Sequence, residues 1–127
     1  MAVRETFTFG QVLTSAEMTL LATAMIAINA QTGTTYTTVL SDDGKLITLD
    51  NASSIAVTIP PNSSVAYGIG TQLNFLALGV GVVTITAGAG VTIRSDGSKL
   101  KLNAQYAVAT CVKIASDTWV AVGNLKA

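Results

Sequence analysis

The chain lacks histidine altogether and has a single cysteine among its 127 residues. The absence of histidine removes the most common general base and the most common metal ligand of proteins. One cysteine cannot form an internal disulfide, and it excludes a cysteine-rich zinc site. We therefore expect a protein that is not an enzyme and that needs no cofactor or metal.

Charged side chains are also scarce, at 11% of the residues, compared with about 25% in an average soluble domain. The 7 Lys and Arg residues balance the 7 Asp and Glu residues, so the net charge is zero. A nucleic-acid partner is thereby disfavoured, because phosphate binding needs clustered positive charge. Since so uncharged a chain is poorly soluble alone, we expect copies of itself or a larger assembly to cover much of its surface.

No segment has the pattern of a membrane span or a secretory signal. The longest apolar stretch, residues 18–30, contains Thr19, Thr23 and Asn29, and it is shorter than the roughly 20 apolar residues that a spanning helix needs. The first residues also lack an apolar run after a basic start. We expect no membrane insertion, and we expect the protein to stay in the cytoplasm until it assembles.

The N-terminal part, residues 1–33, is predicted to be an extended arm followed by one helix. Thr14 and Glu17 have the spacing of a capping box, in which each side chain accepts a hydrogen bond from the other residue's backbone N–H. Leu13 and Met18 flank this box as a hydrophobic staple. The pattern predicts a helix over residues 15–30 that ends near Gly33.

Four apolar residues of this predicted helix have the spacing of a coiled-coil seam, namely Met18, Leu21, Met25 and Ile28. The segment between Glu17 and Asp42 carries no charge, so the helix has no charged face for water. Two interpretations remain open. Either the helix packs on the sheet of its own domain, or it joins a short helical bundle around a symmetry axis and these four residues form the oligomer interface.

From residue 34 to residue 127 the apolar pattern changes to period two, and turn residues recur about every 8 to 11 residues. This pattern is typical of an antiparallel β-sandwich or a barrel-like domain. Asp96-Gly97 has the composition of a tight hairpin turn. The predicted strands span residues 35–40, 45–49, 55–59, 71–78, 82–86, 91–94, 99–102, 106–115 and 118–122.

The longest predicted strand has two unlike faces. Residues 106, 108, 110, 112 and 114 share one face, which includes Tyr106, Val108 and Ile114. The opposite face, from Ala107 to Ala115, is small and only weakly polar. We expect this second face to lie against another sheet or a neighbouring chain.

Few residues are candidates for chemistry. Cys111 lies in the middle of a strand without a base to activate it, so we interpret it as a buried structural cysteine. Asp42, Asp43 and Asp96 stand in turn sequences, where Asp bonds the local backbone. Trp119 is expected to be a core or interface anchor, although a polysaccharide-binding module would need it exposed.

Several phrases in residues 36–125 resemble a small β-module that is common in the structural proteins of tailed bacteriophages. The segment around Gly10 to Met18 is similar to an attachment segment of phage fibre proteins. The β-module phrases are VLSDDGKLITL (39–49), TIPPN (58–62), GTQL (70–73), VTITAGAGVTI (83–93), QYA (105–107) and TWVAVG (118–123).

The resemblance implies a non-enzymatic virion structural protein that forms a homotrimer and contacts other virion proteins. Its leading form is a tail fibre or minor tail protein that meets the host surface, a glycan or another receptor. The alternatives are a capsid decoration protein bound at symmetry axes of the shell and, outside the virion, a polysaccharide-binding module.

Overall fold

The computed structural model describes residues 26–127 as a mainly β protein with two mixed sheets that share one core. A short 3₁₀ turn precedes the third strand (Leu40–Asp42), and another follows the seventh (Asp96–Ser98). No helix in this part of the chain is long and apolar enough to cross a membrane. The strands are β1 (Ile28–Gln31), β2 (Thr35–Thr37), β3 (Leu46–Leu49), β4 (Ile55–Ile59), β5 (Gln72–Ala77), β6 (Val83–Ala87), β7 (Thr92–Ser95), β8 (Lys101–Leu102), β9 (Val108–Ala115), β10 (Thr118–Gly123) and β11 (Leu125–Lys126).

The chain coils between the two sheets, because successive strands from β1 to β6 alternate between sheet A and sheet B. Sheet A has the order β1-β3-β5-β9-β10-β7, and sheet B has the order β11-β8-β6-β4-β2. The strands of successive coils are parallel and in register, for example Tyr36 beside Val57 and Val57 beside Ile85. Later strands add antiparallel pairs, such as β5 with β9 and β6 with β8, while β7 joins β10 in parallel at the edge of sheet A.

The core lies between the sheets, and every second residue along a strand points into it. Strand β4 shows this most clearly, because Ile55, Val57 and Ile59 are buried while Ala56 and Thr58 are partly exposed. The period-two pattern of the sequence therefore identifies the residues of the buried face. Trp119 is also buried, and its ring meets that of Tyr67 edge-on at a centroid distance of 5.4 Å.

Three predictions about the fold are wrong. The helix does not reach residue 30, because Ile28–Gln31 form the edge strand β1, where Leu46 N–H donates to Ala27 O at 2.9 Å. The sheets are mixed rather than antiparallel. Asp96-Gly97 does not close a hairpin, since β7 and β8 belong to different sheets. In each case a long-range pairing outweighs the local preference of the sequence.

The corners of neighbouring coils stack at very short range. Gly81 N–H donates to Asn51 O at 2.9 Å, and Ile55 N–H donates to Val82 O at 2.8 Å. A Cβ atom on Gly81 would collide with the carbonyl oxygen of Ser53. Glycine is therefore required here by the close approach of two backbones.

We expect Gly81→Ala to lower the free energy of unfolding by about 1–3 kcal/mol, because the corner of residues 50–54 must move to admit the methyl group. Gly68→Ala is the matched control, since a Cβ there meets no atom within 4 Å. Urea unfolding of the two variants gives the measurement. Equal midpoints for both variants would contradict the stacked corners.

Candidate interaction surface

The outer face of sheet A is apolar and almost free of charge. The outward positions of its six strands include a single charged residue, Arg94, on the edge strand β7. We call the following set the apolar face: Ile28, Leu46, Leu76, Val108, Val112, Ile114, Val120 and Val122.

Four large side chains of the apolar face are open to solvent. The exposed fractions are 60% for Ile28, 43% for Val108, 50% for Ile114 and 52% for Val122. Registration across β1, β3, β5, β9 and β10 places them on one face of sheet A. Exposed apolar side chains that share one sheet face mark an interaction site more often than isolated ones do.

The polar groups within the apolar face bond to one another. Asn74 accepts hydrogen bonds at 2.9 Å from Gln72 Nε2 and from Thr110 Oγ1, and its own Nδ2 donates to Lys45 O at 3.1 Å. Asn74 is consequently buried although it points away from the core. A partner covering this face would therefore leave the cluster satisfied, which lowers the cost of removing water.

The outer face of sheet B has the opposite character. Its outward positions are mostly threonines and lysines, with Thr37, Thr58 and Thr86 side by side across three parallel strands. Lys101 and Lys126 continue this surface on β8 and β11. We call it the threonine face. Hydroxyl and ammonium groups are well solvated, so this face is suited to water while the apolar face is not.

The structure places one predicted interface residue and leaves the others untested. Ile28 lies on β1 of the apolar face, not on a helix. Met18, Leu21 and Met25, together with the predicted cap residues Thr14 and Glu17, lie outside the described residues. The alternation of residues 106–115 placed Val108 and Ile114 on one face, but the sequence predicted the opposite face of this strand as the contact surface. The neighbours of Val108 and Ile114 across the sheet required the strand order.

A buried carboxylate holds the first coil to the second. Asp42 is fully buried, and its Oδ1 accepts from Asn29 Nδ2 at 2.8 Å. Its Oδ2 accepts from Tyr36 Oη at 2.5 Å and from Val39 N–H at 3.0 Å. These bonds join β1, β2 and the 3₁₀ turn, so Asp42 has the predicted local backbone role and a longer-range one that its turn sequence does not reveal.

Cys111 and Trp119 are placed as structural residues. Burial raises the pKa of the Cys111 thiol to about 12, so the thiolate is strongly disfavoured. Trp119 is enclosed by the core, and the exposed tryptophan that a polysaccharide-binding module would use is therefore absent from that position. Among the described residues, no group of three or more Cys, Asp or Glu side chains could hold a metal ion.

Comparison of the chain with family models, with curated proteins and with solved structures gives no match. The site has therefore to be interpreted from its own geometry. That geometry is a two-faced sandwich, with one face suited to a partner and the other to water.

Ionisation of Tyr36, whose hydroxyl bonds to Asp42, is expected to lower the stability of the fold at alkaline pH. Burial, reinforced by the hydrogen bond to Asp42 and the negative charge of that carboxylate, raises the pKa of Tyr36 from 10.0 to about 12. Because the folded state holds this proton more tightly, its stabilising effect is complete below about pH 10 and is lost as the pH rises to 12. We expect Tyr36→Phe to reduce the decline of the free energy of unfolding between pH 10 and 12.

Urea unfolding at a series of pH values measures that decline. Tyr67 also titrates late, since burial raises its pKa to about 12, so the variant keeps part of the slope. A slope identical to that of the wild-type protein would contradict the assignment. At neutral pH the variant should lose about 1.5–3 kcal/mol, the usual value of a hydrogen bond to a charged group.

Proposed function

We propose that the chain is a non-enzymatic structural protein of a bacteriophage virion, a homotrimeric tail fibre or minor tail component that contacts the host. The observation that carries the proposal is the contrast between the charge-free apolar face and the threonine face. The phrases of residues 36–125 that resemble the phage β-module support it independently.

The apolar face is suited to a second copy of the chain. Between β1 and β10 it has no charge, so two copies bring no like charges together. Burial of apolar area contributes roughly 25 cal/mol per Å² before the cost of association. The internal bonding of Asn74, Gln72 and Thr110 means that these three side chains keep hydrogen-bond partners when the face is covered.

Residues 1–33 are proposed to attach the protein or to hold the trimer. In this proposal Met18, Leu21 and Met25 form a helical seam, and the β-domain projects outward. Ile28 contributes instead through the apolar face, because it lies on β1. The partners are then sister subunits and other virion proteins, with a receptor or surface glycan of the host as the outer contact.

A capsid decoration protein, bound at symmetry axes of the shell, is the second candidate. Quantitative mass spectrometry of purified particles separates the two. A few copies per particle would support the tail position, and hundreds of copies would support decoration. Absence of the chain from purified particles would overturn the virion proposal in both forms.

We expect Val108→Lys combined with Val122→Lys to weaken self-association at least tenfold, because buried ammonium groups without partners oppose contact between copies. The matched control is Thr37→Lys with Thr86→Lys, which adds the same charges to the threonine face. Light scattering coupled to size-exclusion chromatography compares the masses with the 13.0 kDa chain. Equal oligomer masses for the two double variants would contradict the role of the apolar face.

The helical seam has a separate test. We expect Leu21→Asp with Met25→Asp to abolish the trimer, because the seam would then carry buried carboxylates. Thr23→Asp, which lies off the seam spacing, should leave the oligomer intact. An unchanged mass in the Leu21 and Met25 double variant would refute the seam.

A further inference from the structure

Lys113 places an amine inside the core. It lies on β9 on the inward face with Cys111 and Ala109, and only 3% of its surface is exposed. Its Nζ donates to Asn62 Oδ1 at 2.8 Å and to the backbone oxygen of Tyr67 at 2.7 Å. Both acceptors belong to the long connection between β4 and β5, so the amine links this connection to sheet A.

The acceptors of Lys113 are unusual for a buried ammonium, because both are neutral carbonyl oxygens. A buried charge normally has a partner of opposite charge. Here the group in contact is a carboxamide, whose carbon can be attacked by an amine. An amine that has lost its proton is a nucleophile, and lysine acts in this way in covalent catalysis.

A carboxylate also contacts Asn62. Asp117 lies in the turn between β9 and β10, and its Oδ1 accepts from the backbone N–H of Asn62 at 2.7 Å. The same hairpin therefore supplies the amine and the carboxylate, and the connection after β4 supplies the asparagine that both contact. Asn62 itself is exposed to solvent, so a leaving ammonia molecule has a route out.

We propose that Lys113 and Asn62 form an intramolecular isopeptide bond. The neutral Nζ attacks Cγ of Asn62, and a C–N bond forms. Asp117 takes the proton from Nζ and returns one to the amide nitrogen. The bond between Cγ and that nitrogen then breaks, and ammonia leaves. One amine and one carboxamide give one secondary amide and ammonia, with no oxidant or other reactant.

The bond would change how the chain unfolds. It would close a loop between residues 51 positions apart, joining the connection after β4 to the centre of sheet A. A cross-link that closes a loop of this length restricts the conformations of the unfolded chain, as a disulfide would. Because the chain has a single cysteine, it cannot form an internal disulfide, and the isopeptide bond would cross-link it instead.

Intact-mass spectrometry of the purified full-length chain tests the proposal. We expect a mass lower than that of the sequence by about 17 Da, the mass of ammonia. The variants Asn62→Ala and Lys113→Arg should both show their full masses. Asn62→Ala changes an exposed side chain, so it keeps the test open if Lys113→Arg folds poorly. A full wild-type mass after prolonged incubation at 37 °C would overturn the proposal.

A succinimide at an asparagine also releases ammonia, so the site of the loss must be mapped. Proteolysis and tandem mass spectrometry should yield a branched peptide that joins the segments containing residues 62 and 113. A linear peptide with the same loss, retained in Lys113→Arg, would overturn the isopeptide assignment.

The role of Asp117 has its own variant. Asp117→Asn is suited to the left-handed backbone at this position, where φ is 56°, because asparagine tolerates that region. Its side-chain oxygen can still accept from Asn62 N–H, but it no longer carries protons. We expect cross-linking to be at least tenfold slower in this variant. Cross-linking at the wild-type rate would overturn the assignment of Asp117 as the proton carrier.

Discussion

The parallel stacking of coils is the constraint on which the rest of the structure depends. Each coil contributes one strand to each sheet, and the register aligns Val57 with Ile85 across the inner side of sheet B. A slip of one residue would turn every buried side chain outward. The stacked corners, with Gly81 against the backbone of residues 51–53, allow this spacing to be kept at the turns.

The same register separates the two outer faces by chemistry. The alternation that directs Phe75 and Leu73 into the core leaves Asn74 and Leu76 outward in sheet A, whereas the outward positions in sheet B are mostly threonine. The sandwich thus has a polar, solvated threonine face and an apolar face on opposite sides. In the proposed virion protein, the apolar side is the surface that sister subunits or other virion proteins would cover.

Much of the β-domain could be predicted from the sequence because alternation and turn composition are local signals. The strand Ile55–Ile59 was predicted with the bounds that the structure has. The face from Ala107 to Ala115 was expected to lie against another sheet or a neighbouring chain, and its residues up to Lys113 are buried while Ala115 is exposed. Cys111 and Trp119 were also expected in buried positions. The mainly β class is confirmed.

The errors arose where distant residues decide the structure. Ile28 has helical spacing with Met25, yet residues 28–31 pair with β3, and Asn29 bonds to Asp42 thirteen positions away. Parallel pairing between coils leaves no short-range signal, so the sheets were predicted as antiparallel. The contact of Lys113 with Asn62 joins residues 51 positions apart and could not be found from either segment alone.

Hydroxyl-radical footprinting of intact virus particles tests the central claim most directly. If the apolar face is covered in the particle, Val108, Ile114 and Val122 should be protected from oxidation relative to the same residues in the isolated, dissociated chain. Thr37 and Thr86 of the threonine face should give equal labelling in both states. Equal oxidation of the apolar face in the particle and in the isolated chain would contradict the account.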